Sequence, residues 1–397
     1  MDIISIALAT LGFAYVGLPL LYILWMRHIA LTHPWNVRKD ERYLPRVDIL
    51  LPTYNEEQVI SQKLWNLCML NYPQELLRII VIDSCSADRT FALASKFAEE
   101  NDQVRISVIQ EGRRSGKSVA LNLGLSLAQG ETVVTTDADA YWDPDVLTRV
   151  IAYLADPEVG AVTGTESVLN PSQSLATVSE VAYHDGYLWM RLGESKIHST
   201  LITNGELMAY RRHLNFKFDE TSGSDDSGTA VNIVEAGFRC IQVPEAKYYD
   251  NVYYTWRGKT IVKARRAEQL VGLWLRCLKD AFRRRLILPN LVLLSNIYLH
   301  ILNPVLGVLF YFVAIVAVMQ QPLLLLLLLP FLALKSLRSY AVSFVAHNAF
   351  LLTGLFQHAT GKRQTAWKKV QETRALQAAV HGHSGYISSG GLSRTLR

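Results

Sequence analysis

The sequence predicts an α/β domain with a mostly parallel sheet, bracketed by transmembrane and interfacial helices. Three observations predict it. Residues 27–285 alternate short apolar or β-branched runs with helix-like spacing, the signature of βαβ units, whose sheets are largely parallel and covered by helices. Half of the 397 residues are hydrophobic, and the excess is concentrated toward the two ends of the chain. Acidic residues gather where the expected strands stop, at Asp83, Asp137 and Asp139, and open α/β sheets bind ligands outside the carboxyl ends of their strands.

Residues 4–25 are almost uncharged and long enough to cross a bilayer. Met1-Asp2 supplies no basic start and Tyr22 to Arg27 no small residues for cleavage, so residues 1–26 are expected to stay as an anchor. A first strand over 47–52 runs into Thr53-Tyr54-Asn55, and 56–70 has helical spacing. A second strand over 77–82 ends at Asp83 and is followed by a helix over 89–100. A third strand over 104–109 leads through a Gly/Arg loop to a helix over 118–128. That loop resembles a phosphate-binding loop, but Gly112 stands one position too close to Gly116-Lys117-Ser118 for a nucleotide-hydrolase motif. A basic loop entering a helix still suits phosphate, through Lys117 and the helix N-terminus.

The fourth strand, 131–136, is β-branched and ends at Asp137-Ala138-Asp139. Two carboxylates at i and i+2 can converge on one divalent cation, and oxygen donors suit Mg²⁺ or Mn²⁺, which also hold substrate phosphates. Asp225-Asp226 precedes a helical stretch, where a carboxylate serves either as a general base or as a helix cap. Metal and base on one scaffold point to transfer chemistry on a diphosphate substrate.

Residues 256–288 read as amphipathic interfacial helices, and 289–358 as a membrane hairpin (291–319 and 323–334) followed by an interfacial segment over 340–356. Basic residues flank these segments at Arg27, Arg38 and Lys39, at Arg283 to Arg285, and in the 359–397 tail at Lys362, Arg363, Lys368 and Lys369. Placing every cluster on the cytoplasmic side puts the 45–255 domain in the cytoplasm of a plasma-membrane protein. Cysteines 68, 85, 240 and 277 form no CxxC pair, which fits reduced thiols and not a zinc site. The net charge of +5 sits beside membrane segments and reads as attraction to lipid headgroups, not to nucleic acid.

Taken in order, Pro52-Thr53-Tyr54-Asn55-Glu56, Asp83 within Ile82-Asp83-Ser84, Gly116-Lys117-Ser118 and Asp137-Ala138-Asp139 resemble family 2 glycosyltransferases, enzymes of the GT-A fold that use nucleotide-diphosphate sugars. The resemblance spans roughly residues 45–275. With the membrane segments it extends to the branch that includes hyaluronan, chitin, cellulose and poly-N-acetylglucosamine synthases. It implies that Pro52, Thr53, Tyr54, Glu56, Asp83 and Lys117 bind the nucleotide, and that Asp137 and Asp139 engage the nucleotide sugar and its Mg²⁺ or Mn²⁺. It places Asp226 as catalytic base beside Asp225, and Asn204, Gly205 and Glu206 against the acceptor. Processive synthases carry a Gln/Arg-x-x-Arg-Trp motif; here Arg266 is followed by Ala267, with Trp274 two turns on as a substitute sugar platform or an interfacial anchor. Arg265 and Arg266 either brace the diphosphate or an anionic acceptor, or serve as membrane-surface charge.

The expected function is an inverting, metal-dependent glycosyltransferase that moves a sugar from a nucleotide-diphosphate donor, expected to be a UDP-sugar, to a lipid or glycan acceptor at the membrane. A processive polysaccharide synthase is the competing expectation. A nucleotidyltransferase, which would release pyrophosphate, and a catalytically silent scaffold are the other classes.

Overall fold

The structure is a computed structural model that describes residues 2–220, 224–283, 290–361 and 372–373. It opens on a long apolar helix, α1 (Ile3–Thr32). Four strands then alternate with three helices. β1 (Val47–Thr53), β2 (Leu77–Asp83), β3 (Arg105–Gln110) and β4 (Thr132–Thr135) are joined by α2 (Ile60–Cys68), α3 (Thr90–Glu100) and α4 (Lys117–Leu127). These strands lie parallel in the order β3-β2-β1-β4, which the intervening helices allow as crossover connections. The helix expected from residue 56 begins at Ile60, after a turn closed by the Val59 amide donating to the Glu56 carbonyl.

The second half of the sheet is mixed. β5 (Tyr141–Trp142), β6 (Val159–Val168), β7 (Met208–Arg211) and β8 (Arg239–Asp250) complete, among the described residues, an eight-stranded sheet, β3-β2-β1-β4-β7-β6-β8-β5. β7 is antiparallel to both β4 and β6, while β6 and β8 are parallel. Helices α5 (Leu175–Ile197), α6 (Ser227–Glu235) and α7 (Trp256–Phe282) fill the connections.

Side-chain alternation along the strands sends successive residues to opposite faces, and both faces are covered. Ile49, Leu51, Ile79 and Val81 pack with Ile60, Leu64 and Leu67 of α2. Leu50, Ile80 and Ile82 pack on the other face with Leu121 of α4 and with Trp274 of α7. Each such side chain contributes about 1.5–3 kcal/mol when fully buried. The second face also contains Val292, Leu293 and Ile297, from α8 (Leu291–Gln320). The sheet and the long apolar helix α8 therefore share one core.

Three described helices are long and apolar enough to cross a membrane: α1, α8 and α9 (Lys335–Ala359). They meet around the buried ring of Tyr15, whose centroid lies 5.5 Å from that of Phe310 and 5.0 Å from that of Phe344. The returning arm of the hairpin differs from the sequence expectation. Residues 323–334 form a 3₁₀ segment (Pro322–Leu328) and one short helix (Leu329–Ala333), because Pro322 and Pro330 each remove a ladder donor. Residues 340–356, expected at the interface, instead lie within the 25-residue α9, which at 1.5 Å per residue is ~37 Å long. Arg284, Arg285 and the basic tail residues fall outside the described residues.

Candidate active site

Two loops are joined where β1 and β2 end in register, Thr53 beside Asp83. Asp83 is buried and accepts hydrogen bonds from the Ser86 amide (3.0 Å) and hydroxyl (2.5 Å) and from Gln110 Nε2 (3.2 Å), with Thr53 Oγ1 at 3.5 Å. Asn55 adopts a left-handed conformation (φ 54°). Its amide donates to Ser86 Oγ, and its side-chain oxygen accepts from the Ala87 amide. The Glu56 amide donates to Thr90 Oγ1 at 2.7 Å. The Arg114 guanidinium stacks 3.6 Å from the centroid of the Tyr54 ring. Pro52, Thr53, Tyr54, Glu56 and Asp83 thus form one edge at the carboxyl ends of the strands, with a flat cation over an aromatic face.

The two acidic clusters meet at Lys117, the first residue of α4. Its Nζ lies 2.7 Å from Asp137 Oδ1 and 3.1 Å from Asp225 Oδ2. Burial opposes the ammonium charge, but Asp137, Asp225 and Glu206 outweigh it and raise the Lys117 pKa. Burial raises the Asp225 pKa; Lys117 opposes this, and Asp226 and Asp137 reinforce it. Asp226 caps α6. Its Oδ1 accepts from the Ser227 amide (2.5 Å) and the Ser224 hydroxyl (3.1 Å), and its Oδ2 from the Gly205 amide (3.2 Å). The capping and catalytic readings therefore fall on one side chain, held by three donors with its carboxylate in the cleft.

Gly205 is held from the other side by Thr135 Oγ1, which donates to its carbonyl at 3.2 Å. Asn204 accepts from Arg191 of α5 at 2.9 Å, and Glu206 pairs with Arg266 at 3.2 Å. Burial pushes the Glu206 carboxyl up to about 7; Arg266 opposes the shift, and Asp137 and Glu166 add to it. Arg265 is buried, and burial together with neighbouring Arg266 brings its pKa down to about 10. Both arginines line the cleft along with Asp137, Asp225, Asp226 and Glu206, and an adjoining cavity adds Asp139 and Asp250.

Trp274 is not in the cleft. It is fully buried in the core under the sheet, which removes it as a sugar platform. The reverse holds for α9: His347, Phe350 and Leu351 wall the cleft opposite the carboxylates. Sequence reasoning missed them, and missed Arg191. Ala267 is buried against Phe350 and Leu351. A Cβ on Gly354 of α9 would come within 2.7 Å of the Ala267 carbonyl carbon and the Glu268 nitrogen, so the two helices touch backbone to backbone at that point.

Among the described residues no three His, Cys, Asp or Glu side chains converge as a ready-made metal centre. The oxygen donors Asp137 and Asp139, both buried at the cleft, fit a hard cation whose remaining ligands come from a diphosphate and water.

The sequence matches the family described as Glycosyl transferase family 2 over residues 48–213, and Glycosyl transferase family group 2 over 132–357, more than half of the chain. The chain belongs to glycosyltransferase family 2. It is similar to the mannosyltransferase PcManGT from Pyrobaculum calidifontis, solved with GDP-Man and Mn²⁺, with a TM-score of 0.78 and 31% identity covering 91% of this chain and 100% of that one. It is 32% identical over 164 residues to the beta-monoglucosyldiacylglycerol synthase of Trichormus variabilis, covering 41% of this chain and 35% of the relative. It is 34% identical over 166 residues to the poly-beta-1,6-N-acetyl-D-glucosamine synthase of Staphylococcus aureus, covering 41% and 39%. The chain spans between 28% and 62% of the length of the curated relatives it matches. The GT-A-like fold, the family and the transferase class expected from the sequence are borne out.

Proposed function

We propose that this family 2 glycosyltransferase moves a sugar, with inversion, from a nucleotide-diphosphate donor to the headgroup of a membrane lipid or lipid-linked glycan. One observation carries the choice of acceptor. The cleft that holds Asp225, Asp226 and Glu206 is walled by His347, Phe350 and Leu351 of a helix long and apolar enough to cross a membrane. An acceptor anchored in the bilayer can present its polar end there without leaving the lipid.

In this reading Thr53, Tyr54 and Asp83 bind the nucleoside, and Lys117, Arg265 and Arg266 face the charge of the diphosphate. Asp226, oriented by its three donors, accepts the proton of the attacking hydroxyl. A single displacement by one base inverts the anomeric centre. A divalent cation held at Asp139 together with the diphosphate would neutralise the leaving group. Asn204, fixed by Arg191, and Glu206, paired with Arg266, position the acceptor.

The donor is open between nucleotides. A GDP-sugar joins the UDP-sugar expected from sequence, because the 31%-identical PcManGT was solved with GDP-Man. Processive polymer synthesis is the second reading, supported by the match to a poly-N-acetylglucosamine synthase. The contact of Ala267 with α9 weighs against it, since a tryptophan there would displace the helix. We place the catalytic domain (45–255) on the cytoplasmic face of the plasma membrane, with 1–26, α8 and α9 as three crossings.

The test is a panel of UDP- and GDP-sugars with Mg²⁺ or Mn²⁺, using purified protein with and without membrane lipid extract. Release of nucleoside diphosphate that depends on lipid, with a short product of inverted configuration by NMR, is expected. Pyrophosphate release, or no release with any donor, would reject the proposal. Long products on gels would select the processive reading.

A further inference from the structure

Beneath the Asp137-Ala138-Asp139 turn lies a side chain that the proposed reaction does not use. Lys63 of α2 is fully buried, on the same stripe as Ile60, Leu64 and Leu67 that faces the sheet. Its Nζ donates to Thr136 Oγ1 at 2.7 Å and to the Ala140 carbonyl. Those two residues immediately precede and follow Asp137-Ala138-Asp139. The same ammonium lies 4.7 Å from the centroid of the Trp142 ring, whose Nε1 donates to the Glu206 carbonyl at 3.0 Å. The turn is also closed internally, by the Ala140 amide donating to the Asp137 carbonyl at 3.3 Å.

A buried ammonium costs several kcal/mol in desolvation, and a leucine or methionine would fill a stripe position on α2 at no such cost. Burial brings the Lys63 pKa down to about 7, and Asp137, Asp139 and Asp250 oppose the shift. These carboxylates favour the ammonium form against the cost of its burial. Two hydrogen bonds fix both ends of the turn, and the positive charge offsets repulsion among the carboxylates above it.

We propose that Lys63 is a positioning residue that clasps both ends of the Asp137–Asp139 turn, so that the two carboxylates are set to receive a divalent cation bound to a nucleoside diphosphate. This rests on the nucleotide-sugar reading of the cleft. Its consequence is that removing Lys63 impairs metal-dependent binding more than metal-independent binding.

The experiment measures binding of GDP and UDP to the full chain in detergent by titration calorimetry, once with Mn²⁺ and once with EDTA. The ratio of the two affinities is the readout, because general destabilisation moves both arms together. Lys63→Met is expected to lower the Mn²⁺-dependent affinity at least about tenfold, the scale on which groups behind a metal's own ligands act, with the EDTA arm unchanged. Thr136→Val removes one clasp and leaves the ammonium in place; the same arm is expected to weaken with a smaller factor. A folded Lys63→Met protein whose ratio equals that of the wild type overturns the role. Should Lys63→Met fail to fold, Thr136→Val decides: an unchanged ratio overturns the proposal, and a lowered one supports it. A wild-type chain that binds neither nucleotide in Mn²⁺ overturns the nucleotide-sugar reading and the role of Lys63 with it.

Discussion

The two acidic clusters meet at one lysine yet are built in opposite ways. In Asp225-Asp226 it is chiefly main chain that holds Asp226, which takes the Ser227 and Gly205 amides beside the Ser224 hydroxyl and is committed to the start of α6. Asp137-Ala138-Asp139 follows a four-residue strand, and its ends are held by a side chain from a helix some seventy residues earlier. A carboxylate fixed by amides keeps one geometry through a turnover, as a base must. A turn clasped at both ends can present its carboxylates to a cation that arrives and leaves with the nucleotide. The difference suggests that the first site is set for proton transfer and the second for exchangeable binding.

The sharpest way to break this comparison is to exchange the roles. Asp226→Asn keeps the size and the cap and removes the base, so turnover should fall by about 10²–10⁴-fold while donor affinity stays near that of the wild type. Steady-state rates and calorimetry on the same preparation check both halves. A larger loss from Asp225→Asn than from Asp226→Asn would move the base to Asp225, whose carboxyl burial also favours the protonated form. Asp139→Ala should act on binding first. Affinity for nucleoside diphosphate in Mn²⁺ should drop by more than the roughly 10–100-fold that losing a group behind the metal's ligands costs, with little change in EDTA.

The edge that joins Thr53, Asp83 and Asp137 at the ends of their strands was legible in the sequence because each part is local. Thr53, Asp83 and Asp137 end strands whose apolar runs are plain, and loop residues such as Ser86 and Asn55 complete them within a few positions. The wall that α9 adds to the cleft was not legible. Arg191, His347 and Phe350 come from helices whose patterns read only as amphipathic or apolar, and the packing of α9 on both α5 and α7 brings them together. Trp274 was misassigned because two turns along a helix is not a full return: eight residues from Arg266 is about 80° around the axis, and that face looks into the core. The second arm expected over 323–334 differs because hydropathy hides the prolines at 322 and 330. Lys63 did leave a signal, a charged residue at i+3 of the apolar stripe Ile60, Leu64, Leu67, where a solvent-facing lysine does not belong.

The acceptor side can be tested by overfilling it. Ala267→Trp restores the residue that processive synthases carry but forces α7 from α9 at Gly354. Overpacking of this kind costs about 1–3 kcal/mol, and the melting temperature in detergent should fall accordingly. A variant as stable as the wild type that makes longer products would show that α9 yields, and would favour the polymerase reading.

The smallest expected effect concerns Glu206, the acceptor-side carboxyl that burial raises to about 7. Folding favours its protonated form, so its contribution to stability is fully present below the unfolded carboxyl range, near pH 4.5, and is lost as pH rises through about 7. Glu206→Gln mimics the protonated acid and should remove that slope. Between pH 5.5 and 8 the wild type should lose about 1–2 °C of melting temperature more than the variant, since about 1 kcal/mol shifts a chain of roughly 150–250 residues by about 2–4 °C and a longer one by less. Arg266 sets the limit on this effect, because ionised Glu206 regains a partner 3.2 Å away. Arg266→Gln should therefore steepen the same slope, and identical slopes in all three proteins would place the titrating group elsewhere in the cleft.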